Sequence, residues 1–173
     1  MATIHTIKTK EEFINEMTER ISIRVNLLVF YNEIYLPTLK EFDGKVYNIR
    51  FIKALRKKVE NNKRIYISER KYEGAIEIQQ RREDFNYTDC ENLWVKCITN
   101  NEGRIDYNAT LEDKMHNIWL KNFNEYIEDY QKAIDNYDAY LEQANQLANA
   151  INAYNDLPHP FRQNVEKYTL NIY

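Results

Sequence analysis

Three glycines and three prolines in 173 residues are too few for the tight turns of an all-β sandwich, and they supply no glycine-rich loop to cradle a phosphate. Long elements joined by few sharp corners suit this scarcity. Cysteine and histidine are equally sparse, at two and three. Zinc normally takes four ligands, and Cys90 and Cys97 have no partner pair, so both thiols are expected to be reduced. None of His5, His116 and His159 stands at metal-ligand spacing with another His or Cys. There is no nucleophile elbow, phosphate loop or dinucleotide fingerprint, and the expectation is no catalytic residue, no metal and no cofactor. No apolar window approaches the roughly 18 residues of a membrane span, and the first ten residues lack a signal-type apolar stretch. The chain reads as cytoplasmic, with no membrane contact.

What the chain does have is aromatic side chains, including 14 tyrosines, beside 29% charged residues and a net charge of -3. That mixture is too aromatic and too periodic for disorder, and the length suits one domain over residues 1–173. From Trp119 to Tyr154, apolar or aromatic residues recur at alternating steps of four and three: Trp119, Phe123, Tyr126, Tyr130, Ala133, Tyr137, Tyr140, Ala144, Leu147, Ile151 and Tyr154. A second row, Leu120, Ile127, Ile134, Leu141 and Ala148, widens the stripe beyond a simple coiled-coil seam. One long helix over about 110–156 is expected, capped by Thr110 with Asp113 and ended before Pro158 and Pro160. A straight helix of that length would span about 70 Å, more than a compact domain of this size. It should therefore break, most plausibly among Gln143–Asn152, or pair with the first helix or with another subunit.

Upstream, Thr9 and Glu12 form a capping box ahead of the helical row Ile14, Met17, Ile21, Val25 and Leu28,. This helix, about 10–42, either kinks at Pro37 or ends near Tyr35 and restarts; Asp43-Gly44 stops it. A helix over about 48–61, capped by Asn48, turns Ile52, Leu55 and Val59 inward and Arg50, Lys53 and Lys57 outward. The period then changes to two. Ile65 and Ile67, then Ile76 and Ile78, predict a hairpin over about 64–80. Leu93, Val95 and Cys97 with Arg104–Tyr107 across the Asn100–Gly103 turn predict a second over about 93–108. Arg81–Asn92 reads as a loop, and the alternating tail 165–173 as a C-terminal edge strand. The fold class is α+β, a small antiparallel sheet flanked by helices with a long C-terminal amphipathic helix, straight or kinked.

Two surfaces stand out for binding. The first is the acidic and aromatic face of the long helix, with Glu125, Glu128, Asp129, Tyr130, Asp135, Tyr137, Asp138 and Tyr140. Tyrosine where a bundle core would carry leucine suggests either rings at a core edge or an exposed contact stripe. The second is a basic segment over 45–71, with Arg50, Lys53, Arg56, Lys57, Lys63 and Arg64, in which Tyr47, Tyr66 and Tyr72 could stack on bases. The negative whole-chain charge weighs against a nucleic-acid field. Glu77 and Asp106 on expected strands would be the acids of a metal-dependent nuclease, the weakest reading. Abundant Asn, Ile, Lys and Tyr share A/T-rich codons and point to a low-GC bacterium or its phage. The expectation is a non-enzymatic protein that binds a protein partner, a host complex or a second copy of itself as a homodimer, such as a mobile-element inhibitor of a nucleic-acid-processing or defence machine. Nucleic-acid binding through segment 45–71 is the alternative.

Overall fold

In the computed structural model, which describes residues 9–62, 64–70, 74–81 and 90–161, Thr9 and Glu12 cap each other reciprocally. The Glu12 N–H donates to Thr9 Oγ1 at 3.2 Å and the Thr9 N–H to Glu12 Oε2 at 3.4 Å, which satisfies amides that a helix start leaves orphaned. The helix α1 (Lys10–Phe30) runs into a π turn (Tyr31–Tyr35) and on into α2 (Leu36–Glu41). Pro37 does not end it. Just ahead of this residue without an N–H the chain loosens, and the Leu36 N–H reaches back to the Tyr31 carbonyl,. The buried residues Ile23, Leu27, Tyr31, Tyr35 and Leu39 recur at steps of four, and in a straight α-helix each step overshoots one turn by about 40°. The wider π turn absorbs that excess and keeps Tyr31 and Tyr35 stacked, with ring centroids 5.4 Å apart.

This is not the face that the apolar spacing suggested. Val25 is 44% exposed, and Ile14, Met17, Ile21 and Leu28 are half-buried, whereas Arg24 is buried beside Ile23 and Leu27. A charged residue on the inward stripe hides that stripe from a count of apolar positions. The next helix, α3 (Asn48–Lys58), has Tyr47 rather than Asn48 at its N-cap. It buries Phe51, Ile52 and Leu55 and leaves Arg50, Lys53 and Lys57 exposed.

The strands β1 (Ile65–Glu69), β2 (Ala75–Arg81) and β3 (Cys90–Lys96) form an antiparallel sheet in the order β1-β2-β3. Ile67 lies opposite Ile78, Ile78 opposite Leu93 and Ile76 opposite Val95, and these side chains join Leu27, Tyr35, Leu39, Phe51 and Leu55 in one core. Gly74, before β2, has φ +71, and a Cβ there would stand 2.7 Å from the Cys97 carbonyl oxygen; only glycine fits. Of the expected second hairpin only the end at the turn forms, with Asn100 N–H donating to Arg104 O and Asp106 N–H to Ile98 O. Strand β3 begins at Cys90, inside the stretch read as a loop, and pairs with β2. Past the turn closed by Gly103 N–H to Asn100 O, the returning chain is drawn to the α2–α3 connection. Ile105 N–H donates to Val46 O and Gly44 N–H to Ile105 O, so Arg104 and Ile105 form only single bridges, with Tyr47 and Thr99. Residues 82–89 and the tail 165–173 lie outside the described residues.

The expected long C-terminal helix is present but segmented: α4 (Tyr107–Glu112), α5 (Lys114–Asp135) and α6 (Tyr137–Asn155), with only Asp113 and Asn136 between the segments. Asp106, not Thr110, caps α4 by accepting the Ala109 N–H, and Asp113 accepts the His116 N–H at the start of α5,. The later break falls at Asn136 rather than among Gln143–Asn152. There the backbone departs from helical angles, with φ -121 and ψ 26, although the Asn136 N–H still donates to the Lys132 carbonyl and the Asn136 carbonyl accepts from the Tyr140 N–H. The fold is α+β, and no described helix is long and apolar enough to cross a membrane. The chain divides into two compact units, Glu16–Gln131 and Met1–Asn15 with Lys132–Tyr173. In the latter, Phe13 packs on Tyr137 at 5.2 Å and Lys10 pairs with Asp138 at 2.7 Å.

The outer edge of β3 organises the larger unit. The Cys97 N–H donates to Gly74 O, which fixes the ladder parity and turns the main-chain groups of Asn92, Trp94, Lys96 and Ile98 away from β2. Lys96 N–H donates to His116 Nδ1 at 2.9 Å, and Tyr35 Oη donates to Lys96 O. Ile98 N–H donates to Thr110 Oγ1 and Ile98 O accepts from Asp106 N–H. His116 is wholly buried. Because its Nδ1 accepts, its proton resides on Nε2, which donates to Tyr31 Oη at 2.7 Å,. Burial holds the imidazole neutral and lowers its pKa from 6.5 to about 4. The unfolded chain takes up a proton below pH 6.5 that the folded chain refuses until about pH 4, so stability falls as pH drops through that window. His116→Gln should flatten this part of the pH profile by about 3 kcal/mol, read as the difference between urea unfolding curves of variant and parent at each pH.

Candidate binding cleft

On the core side of β3, Glu91 is 4% exposed and its carboxylate is shared by two arginines of α1. Arg20 Nη1 donates to Oε1 at 2.9 Å and Arg24 Nε to Oε2 at 2.8 Å, while Glu16, one turn before Arg20, binds that guanidinium at 3.0 Å. A carboxylate taken out of water persists only with such charge-assisted bonds. The guanidinium of Arg24 then lies over three rings of α5, at 4.5 Å from Phe123, 4.9 Å from Tyr126 and 5.4 Å from Tyr130,. β3, α1 and α5 are thereby joined through one side chain.

Between this ion cluster and His116, β3 and α5 leave an open cleft of about 300 Å³ lined by Arg24, Asn92, Trp94, Trp119, Asn122, Phe123 and Tyr126. Trp94 and Trp119 meet at 5.9 Å, Lys96 lies over Trp119, and Tyr126 is 53% exposed. The Asn92 Oδ1 is buried with no hydrogen-bond partner among the described residues. Arg70 spans the Trp94 ring and pairs with the buried Glu77 at 2.6 Å.

The structure separates the residues expected to form one acidic and aromatic face. Tyr130 is half-buried under Arg24, Tyr137 half-buried against Phe13, and Tyr140 is 45% exposed on α6. Glu125, Glu128 and Asp129 are exposed on α5; Asp135 and Asp138 are exposed in the other unit, Asp138 bound to Lys10. Of the basic set, Arg50, Lys53 and Lys57 form an exposed row on α3, but Arg56 donates to the Ile67 carbonyl on the open edge of β1. Arg64 is exposed before β1, and Lys63 lies outside the described residues. Glu77 and Asp106 are taken up by Arg70 and by the α4 cap, and no group of three or more His, Cys, Asp or Glu among the described residues is placed to hold a metal. Neither cysteine is in a disulfide: Cys90 Sγ accepts from Gln79 Nε2 at 3.3 Å, and burial pushes the Cys97 thiol up to about 12.

Arg24, Glu91, Asn92 and Trp94 went unread in the sequence. The available signal was Glu16, Arg20 and Arg24 at intervals of four on one face of α1, two cations to one acid with Arg24 between Ile23 and Val25, which calls for a second acid from elsewhere. No family model, curated protein or solved structure matches the chain. Replacing Glu91 by Gln strands Arg24 without its counter-charge and should cost about 3 kcal/mol in urea unfolding, whereas exposed Glu128→Gln should change it by less than about 0.5 kcal/mol.

Proposed function

We propose that the protein is a non-enzymatic protein-binding module whose contact site is the aromatic cleft between β3 and α5. The observation that carries this reading is the cleft itself: two tryptophans, a half-exposed tyrosine and an arginine line one opening, and these residue types concentrate binding energy at protein contacts. Glu125 and Asp129 stand three and seven positions after the cleft residue Asn122, on one stripe of α5, and extend the site with negative charge. The abundance of Asn, Ile, Lys and Tyr, residues with A/T-rich codons, supports a phage or mobile-element accessory role, blocking a host nucleic-acid-processing or defence complex by protein contact. A second reading rests on Arg50, Lys53 and Lys57, an exposed row of cations on α3, which suits a phosphate backbone.

Affinity capture from a low-GC bacterial lysate separates the two. A protein partner that survives nuclease, is lost with Trp119→Ala plus Tyr126→Ala and is kept with Arg50, Lys53 and Lys57 all changed to Glu supports the first. Nucleic acid recovered instead, released by moderate salt and lost with the charge reversals, supports the second.

A further inference from the structure

The protein caps the outward main-chain groups of β3 selectively. Both groups of Lys96 and both of Ile98 are bound, by His116, Tyr35, Thr110 and Asp106. The N–H and C=O of Trp94 and Asn92 have the same orientation by the ladder parity, yet they have no hydrogen-bond partner among the described residues. The uncapped stretch is also where the cleft opens, because Asn92 and Trp94 line it. Unpaired strand-edge groups are a template for another extended backbone, and partly enclosed ones carry a free-energy cost until they are paired or hydrated.

Resting on the protein-binding reading above, we propose that the cleft recognises its partner by strand addition: an extended peptide segment pairs with β3 at Asn92 and Trp94. Alternate residues on β3 then exchange about four main-chain hydrogen bonds with the incoming strand. Two features set its side chains. Trp94, Trp119, Phe123 and Tyr126 accept an aromatic or branched aliphatic anchor. Charge complementarity sets the flank, because Arg24 is already neutralised by Glu91 and Arg70 by Glu77, whereas Asp129 and Glu125, the latter met only at 3.9 Å by the exposed Lys121, stay exposed on the α5 wall to meet a lysine or arginine. The occupant is an extended segment with an apolar anchor beside a basic residue.

The probe is a displayed library of random linear peptides selected on the full chain. Enriched peptides should combine an apolar anchor with a basic residue, and Glu125→Lys with Asp129→Lys, both on the exposed surface, should weaken them without unfolding the protein. N-methylation of alternate peptide amides should weaken binding about tenfold per blocked amide in one register and leave the other register unchanged. Amide hydrogen exchange should slow at Asn92 and Trp94 on binding, while Leu93 and Val95, already paired with β2, stay as they were. Equal tolerance of both methylated registers, exchange changes confined to other segments, or failure to enrich any linear peptide would overturn strand addition. If a folded protein partner is nevertheless lost with Trp119→Ala plus Tyr126→Ala, the protein-binding reading stands and only the strand mode fails. If those two substitutions change no partner, that reading fails as well.

Discussion

The outer edge of β3 must be satisfied, and the arrangement of the larger unit follows from how that is done. A three-stranded sheet has two edges, and an edge enclosed by helices cannot rely on bulk water for its N–H and C=O groups. At β1 Arg56 reaches the Ile67 carbonyl and the Asn62 carbonyl accepts the Ile65 N–H. At β3 it takes a neutral imidazole, a tyrosine, a threonine and a main-chain amide, contributed by the π turn, α4 and α5. His116 touches both β3 and Tyr31, so it sets the height of α5 and the phase of the first helix together. Asp113 is consistent with that demand: it starts α5 at the position that delivers His116 to Lys96.

The second junction, at Glu91, is electrostatic where the first is neutral. Desolvating a carboxylate and a guanidinium costs several kcal/mol per ion, recovered only when bonding is nearly complete. Both oxygens of Glu91 are bound and Arg24 is roofed by three rings. Such a pair adds little to net stability over an apolar substitute, but it accepts few alternative registers, because sliding β3 by one residue would place Glu91 on the other face. The two junctions bracket the stretch at Asn92 and Trp94, and the cleft exists because neither extends across it.

Several elements were legible in the residues. The reciprocal cap at Thr9 and Glu12, the inward set of α3 and the first hairpin follow from local chemistry and from periods of 3.6 and 2, which act within a few residues. The inward face of α1 was not, because Arg24 looks like a surface residue until Glu91 and the α5 rings are brought to it. The second hairpin is cut short for a related reason: Arg104 and Ile105 have strand-like chemistry, but Ile105 gives its N–H to Val46 and its carbonyl to Gly44, partners about sixty residues away. The helix breaks at Asp113 and Asn136 were masked by a continuous apolar stripe, since periodicity reports which side of a helix is buried and not where its backbone changes direction.

By itself the sequence determined the element types, the α+β class and the aromatic stripe of α5, because backbone propensity and hydrophobic period are properties of neighbours along the chain. Only the tertiary structure decided that Glu91 meets Arg20 and Arg24, that His116 is a neutral edge cap and that Trp94, Trp119 and Tyr126 line one cleft. Those are contacts between segments tens of residues apart. Their energies depend on desolvation and on the parity of strand pairing, and both arise only once the chain has folded.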